Sequence, residues 1–182
     1  GGATQAHNVG ELLSLSLCAK DLALAEEVGG DLAVACAACF SRLKVTQHRL
    51  ADNEEKRRQV EYAIDGKVSF DNKVKHLLEI LAKDFGLDRL TAAVRKPLEG
   101  LKVACYYGCL LTRPPEVPEL DDCEAPTIME RVIGAAGAET VTWSHRMECC
   151  GANFTLSRPG VVLKLSGDIL ASAKAAGANC IL

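Results

Sequence analysis

Nine cysteines stand in this chain of 182 residues, and five of them are spaced for thiol or metal chemistry. Cys36 and Cys39 form a C-x-x-C pair, Cys109 lies in Y-Y-G-C-L-L-T-R-P-P, and Cys149 and Cys150 are adjacent in E-C-C-G. A disulfide between sequence neighbours closes so tight a ring that strain makes it easy to reduce. Two thiolates side by side, with a third arriving from another loop, suit a multinuclear centre built on soft sulfur ligands. The alternative is that these three cysteines are buried small hydrophobes, but all three fall beside glycines in expected loops. Cys18 falls in an expected helix, Cys105 in a strand, Cys123 in an acidic loop and Cys180 in the last strand, and these four are read as non-ligands. Arg42, Lys44 and Arg113 each follow an expected ligand by a few residues. Cations there offset the negative charge of a thiolate-bound cluster or hold an anionic substrate, unless they are solvated surface charges.

The elements that position these residues follow from hydrophobic periodicity. Leu12, Leu13, Leu15, Leu17, Leu22, Leu24 and Val28 predict a long, largely buried helix over 8–28, stopped by Gly29 and Gly30. Leu32 to Ala35 form a short apolar run that reads as an inner parallel strand. Cys36 and Cys39 follow it and lead into a helix over 40–51, which places Cys39 near a helix N-terminus, where the dipole favours thiolate. A charged, exposed helix is expected over 53–64 and a short edge strand over 67–70. Asp71 then caps a helix carrying Val74, Leu77, Leu78 and Leu81, ended by Gly86. His76 on that helix reads as solvent-facing or locally bonded rather than as a ligand. A short helix over 87–94 stops before Lys96-Pro97. From 101 onward the order becomes regular: strand 102–106, helix 126–136, strand 139–143, a helix from Ser157-Arg-Pro159 to Gly177, and a strand over 178–182.

Strand–helix alternation with short connections predicts an α/β fold, a doubly wound parallel sheet with helices on both faces and a helical insertion between two units. Strands near 32–35, 102–106, 139–143 and 178–182 are all expected to run parallel. Cys36/Cys39, Cys109 and Cys149/Cys150 then lie beyond the C-terminal ends of strands, the edge at which open α/β sheets bind ligands. The composition fits: 48% apolar and 25% charged residues are those of a globular protein, and 4% aromatic residues suit close packing. A net charge of −3 without a basic stripe argues against a nucleic-acid partner, and no apolar run approaches the length of a membrane span. Clustered cysteines among strong helical patterns point to a reducing cytosol rather than to a disulfide-stapled secreted domain.

An internal repeat runs through this order. Gly1-Gly-Ala, a long helix, a glycine stop and a short strand match Gly151-Ala-Asn, the helix from Pro159, Gly177 and the final strand. In the first copy the strand is followed by Cys36-x-x-Cys39, whereas the sequence stops before a counterpart in the second. By the same alignment a Cys-Cys is expected just before Gly1. The chain thus reads as an internal fragment without its initiator Met, divided into 1–51 (the C-terminal part of a first unit), 52–100 (a helical linker or insertion) and 101–182 (a second unit lacking its final C-x-x-C).

The runs Y-Y-G-C-L-L-T-R-P-P, E-C-C-G and C-A-A-C-F-S-R-L-K (Cys36 to Lys44) resemble the B subunit of heterodisulfide reductase, a family built from two copies of a cysteine-rich CCG motif. The resemblance implies an oxidoreductase whose intact subunit holds two non-cubane 4Fe–4S clusters and cleaves the disulfide between two thiol cofactors. Carried over by position, it makes Cys36 and Cys39 ligands of one cluster and Cys109, Cys149 and Cys150 ligands of the other. It also implies a ferredoxin-like iron–sulfur subunit and a flavoprotein subunit as electron-donating partners, and an anionic thiol or disulfide as the small molecule. With part of each ligand set missing, the chain alone is expected to be inactive and to hold no complete cluster, but to be metal-free or to carry zinc or a Cys36–Cys39 disulfide. Related CCG proteins serve as iron–sulfur electron-transfer subunits of glycolate or lactate oxidation and of some succinate:quinone reductases, which is the competing redox reading. A structural zinc module is the non-enzymatic one, since three or four cysteines satisfy tetrahedral zinc.

Overall fold

The computed structural model describes residues 3–182. It is an α/β fold in which every strand pairing is parallel, and it divides into two compact units. One comprises the chain through Leu77 together with Arg113–Pro118; the other comprises Leu78–Thr112 and Glu119–Leu182. The glycine pair that opens the repeat reading, Gly1 and Gly2, lies outside the described residues.

In the first unit the expected helix over 8–28 is two helices, α1 (Ala3–Val9) and α2 (Glu11–Val28). Gly10 between them is extended: its N–H closes α1 on the Ala6 carbonyl at 2.9 Å and its own carbonyl accepts from Ser14 at 3.1 Å to start α2. Nor is α2 buried all round. Ser14, Leu15, Cys18, Ala19 and Leu22 make one buried stripe at helical spacing, while Leu12, Leu13, Leu24 and Val28 face outward. β1 (Leu32–Val34) follows, then α3 (Ala37–Ala51) and α4 (Glu54–Ile64), the last opened by the Asn53 side chain accepting from Lys56 N–H at 2.9 Å.

The partner of β1 was not expected. Val74–His76, placed on a helix by its apolar spacing, is β2, paired parallel to β1 in the register Leu32↔Val74. The segment 67–70, expected as an edge strand, has no ladder, because carboxylates take its donors. Val68 N–H donates to Glu61 Oε1 at 3.3 Å, and Ser69 and Phe70 N–H donate to Glu26 at 3.0 and 2.8 Å. His76 is correspondingly neither helical nor solvent-facing: it is buried edge-on against Phe40, ring centroids 5.3 Å apart. The rest of the expected helix is a short turn, α5 (Leu77–Glu79), running into a π-helical segment (Ile80–Gly86) and then α6 (Leu87–Ala93).

The second unit matches the regular pattern read from 101 onward. β3 (Lys102–Ala104), α7 (Ile128–Ala135), β4 (Glu139–Thr140), α8 (Pro159–Ala175) and β5 (Cys180–Ile181) occur in that order. β3 lies in the middle of a parallel sheet ordered β4-β3-β5. The strands are short, but single bonds prolong the pairing: Val141 N–H to Val103 O at 3.0 Å, Leu182 N–H to Ala104 O at 3.1 Å and Tyr106 N–H to Leu182 O at 2.9 Å. Ala104 packs on one side with Trp143, Ile169 and Ala173, and strand alternation sends the buried Val103 to the other. Asp121 fixes the start of α7 by accepting from the N–H groups of Thr127 and Ile128, both at 2.6 Å.

Candidate functional site

All nine cysteines are free thiols. In the first unit Cys36 is exposed and caps α3 with extended backbone, and Cys39 lies one turn into that helix, also exposed. The two respond to the helix N-terminus in the opposite sense to the sequence expectation. The Cys39 backbone N–H points at the Cys36 sulfur and, against burial, holds that thiol below its ordinary range, helped by the Cys39 thiol and the Ala38 N–H. Cys39 is pushed up, first by its hydrogen bond to Cys36, then by burial and by the charge that Cys36 carries. The capping residue, not the one inside the first turn, receives the orphan donors of the helix. Cys36 is therefore expected to ionise first. Peptide-resolved alkylation of the metal-free protein by iodoacetamide should give Cys36 a reaction midpoint at lower pH than Cys39; the reverse order would contradict this arrangement.

The second unit brings Cys109, Cys149 and Cys150 together. Cys109 lies in the loop after β3, and the adjacent pair lies in the loop after β4; because β3 and β4 are parallel, both loops emerge at one edge of the sheet. The loops are joined by backbone bonds from Tyr107 and Gly108 N–H to the Arg146 carbonyl, at 2.8 and 3.1 Å. Side chains reinforce the joint. The Arg146 guanidinium lies 5.4 Å from the centroid of the Tyr107 ring and 3.4 Å from Glu130, and it also donates to the Pro126 carbonyl. The Tyr107 hydroxyl donates to Glu130 and accepts from Met129 N–H at 2.8 Å, which ties the same loop to the first turn of α7. Burial, then the neighbouring Cys149 and Cys150 thiols, push Cys109 up. A metal must therefore displace protons to bind here, so its affinity rises with pH.

Two glycines of the motifs have geometric reasons. Gly108 has φ +61, and a Cβ there would stand 3.2 Å from the Tyr106 hydroxyl oxygen. Gly151 has φ +76, and a Cβ would meet Leu165 Cδ1 at 3.0 Å, so the E-C-C-G loop turns directly onto α8. Gly151 also donates its N–H toward Cys149 Sγ at 3.4 Å.

The remaining cysteines have other surroundings. Cys105 is wholly buried, and burial, with the Glu130 charge second, pushes its thiol up to about 12. Cys18 is buried in α2 and likewise raised by burial. Cys123 and Cys180 are partly exposed in the acidic loop and in β5. Of the three cations, Arg42 and Lys44 are half-buried on α3, and the Arg42 charge acts on Cys18. The Arg42 Nε is buried without a hydrogen-bond partner among the described residues. Arg113 is exposed, precedes a cis bond to Pro114 and belongs to the first unit, whereas Cys109 belongs to the second. Sequence reasoning assigned no role to Tyr106, Tyr107, Glu130 or Arg146; the Y-Y-G-C run pointed only toward the two tyrosines.

The donor types fit iron–sulfur or zinc chemistry in each unit separately: three soft sulfurs on two loops of the second, and two at a helix start in the first. Among the described residues, no group of three or more His, Cys, Asp or Glu side chains is closed tightly enough to hold a single metal ion.

Residues 103–182 match the family described as CCG, cysteine-rich domain. Over its whole length the chain is 31% identical to the 8-methylmenaquinol:fumarate reductase membrane anchor subunit of Wolinella succinogenes, covering 63% of that protein. It is 29% identical, over 92% of the chain and 57% of the relative, to the B subunit of the Ferredoxin/F(420)H(2)-dependent CoB-CoM heterodisulfide reductase of Methanosarcina acetivorans. To a protein of Archaeoglobus profundus named for its likeness to the heterodisulfide reductase B subunit it is 34% identical, over 75% of the chain and 47% of the relative. The chain thus spans between about half and just under two thirds of the length of these curated relatives. Residues 103–182, in which Cys109 and the Cys149–Cys150 pair are joined at one sheet edge, thus carry a cysteine-rich CCG domain, and the chain is similar over most of its length to the B subunit of heterodisulfide reductase.

Proposed function

We propose that this chain is the cysteine-rich part of a heterodisulfide reductase-type subunit, which reduces the disulfide between two thiol cofactors with electrons delivered through iron–sulfur centres. The observation that carries the reading is the meeting of Cys109 with Cys149 and Cys150 at the C-terminal edge of a parallel sheet. Cys109, Cys149 and Cys150 hold one centre, of the non-cubane 4Fe–4S type, and Cys36 and Cys39 contribute to a second. When bound, such centres supply single electrons at a potential set by their ligands and surroundings. Breaking one disulfide consumes two electrons and two protons and yields two thiols, so electrons arriving singly must be collected before release of the products.

The chain's own residues do the positioning. The Tyr107–Glu130–Arg146 network fixes the loop that carries Cys109 against the loop that carries Cys149 and Cys150. Arg42, Lys44 and Arg113 are the candidate contacts for an anionic thiol or disulfide. A ferredoxin-like iron–sulfur subunit and a flavoprotein subunit are the partners, in the cytoplasm; among the described residues no helix is long and apolar enough to cross a membrane. A quinone-linked reductase subunit is the second reading, favoured by the relative from Wolinella that the chain matches end to end.

The deciding experiment measures iron and acid-labile sulfide in the anaerobically reconstituted full-length subunit that contains the chain. It then measures reduction of the CoB–CoM heterodisulfide, by the complex that contains the chain, against quinol-dependent fumarate reduction. Iron with sulfide and heterodisulfide turnover are expected. Zinc without sulfide would replace the redox reading with a structural one, and fumarate turnover alone would favour the second reading.

A further inference from the structure

We infer that Tyr106 is a positioning residue of the cysteine centre, a latch that sets the separation of Cys109 from the Cys149–Cys150 pair. The inference rests on the metal-centre reading and gives a role there to a side chain that is not a ligand. Tyr106 leaves the end of β3 with its N–H on the Leu182 carbonyl, so its backbone is fixed by the sheet. Its ring lies under Gly108, where a Cβ would stand 3.2 to 3.4 Å from three ring and hydroxyl atoms. The chain therefore turns back over the ring in a left-handed conformation and delivers Cys109, the next residue, above it. Forty-two residues further on, the Tyr106 hydroxyl donates to the Glu148 carbonyl at 2.6 Å, immediately before Cys149. One side chain thus touches the residue before Cys109 and the residue before Cys149.

The surroundings hold the latch in place. Tyr106 and Cys150 both pack on the buried group formed by Ala104, Trp143, Ile169 and Ala173. The Trp143 ring stands 6.3 Å from that of Tyr106, centroid to centroid. A rigid aromatic lever is thereby anchored on the core at one end and bonded to the loop backbone at the other. Groups one shell out from metal ligands commonly change metal affinity by about 10–100-fold when removed, because they orient the ligands.

The test uses Tyr106→Phe, which keeps the ring beneath Gly108 and removes only the hydroxyl, in the full-length subunit that contains this chain, carrying Cys36→Ser and Cys39→Ser so that iron reports on the second unit alone. Both forms are reconstituted anaerobically with ferrous iron and sulfide. The readouts are release of iron to a chelator, the electron paramagnetic resonance spectrum of the reduced centre, and thermal melting of the metal-free protein. Release about tenfold faster, with an altered and broadened spectrum and unchanged melting, is the expected result. Release and spectrum identical to the parent would overturn the latch and leave the metal-centre reading standing. A parent full-length subunit that takes up no iron would overturn the metal-centre reading and the latch with it. A Tyr106→Phe chain that no longer folds would assign the hydroxyl to the fold and also overturn the inference.

Discussion

Replacing Cys149 and Cys150 together by serine is expected to strip the second unit of its iron while leaving its fold intact. A metal-bound cysteine binds as the thiolate, and a serine hydroxyl in its place does not ionise near neutral pH, so two of the three sulfurs that meet at the sheet edge cease to be ligands at once. The loss should exceed the roughly tenfold effect of an outer-shell change and approach completeness, read as iron and acid-labile sulfide per full-length subunit after anaerobic reconstitution. The fold should tolerate the change because Cys149 is exposed and Cys150 only half-buried, and neither side chain is among the residues of the buried core. Cys180→Ser is the control, since that residue lies on β5, paired with Val103 of β3, and on neither cysteine loop. Full iron content in the double variant would remove the pair from the ligand set.

The cysteine pair and its place were legible in the sequence because two periodicities agree there. Lys102–Ala104 and the stretch after Glu139 read as strands, the apolar face of Val161, Val162, Leu165, Ile169 and Leu170 reads as a helix, and the structure has β3, β4 and α8 in those places. What stayed hidden depends on partners remote in the chain. The three residues of Val74–His76 carry no strand signal of their own; they become β2 because β1 offers a parallel edge, and their apolar spacing with Leu77 and Leu78 also fits a helix. The segment 67–70 has the look of a strand, but Glu61 and Glu26 take its donors, and nothing local announces a carboxylate more than forty residues away. The same holds for the site. C-x-x-C placed a pair of thiols at a helix start, but which of them faces the backbone donors depends on where α3 begins, and a shift of a few residues moved the favoured thiolate from Cys39 to Cys36. Tyr106 could be quoted as part of a motif, whereas its bond to Glu148 could not be read from spacing.

The largest effect on stability is expected at Trp143, the only tryptophan of the chain. It is 7% exposed, and it fills the space between Ala104 on β3 and Ile169 and Ala173 on α8. Its Nε1–H donates to the Cys105 carbonyl at 3.1 Å. Trp143→Ala removes the ring and that donor together, and both alanines of the group are too small to close the cavity, so a cost of about 3–5 kcal/mol follows. Trp143→Phe keeps most of the apolar contact but leaves the buried Cys105 carbonyl without its donor, at about 1–3 kcal/mol. The order wild type, Phe, Ala should appear in hydrogen exchange of β3 and α8 measured by mass spectrometry, with the first unit as an internal reference. Exchange that resolves the two units is preferred to a single melting point, since a chain of two compact units need not unfold in one step. Because the same ring supports Tyr106 and Cys150, Trp143→Ala should lose iron as well, whereas Trp143→Phe should retain it. Equal protection of β3 and α8 in all three proteins would show that the packing around Trp143 does not hold this unit together.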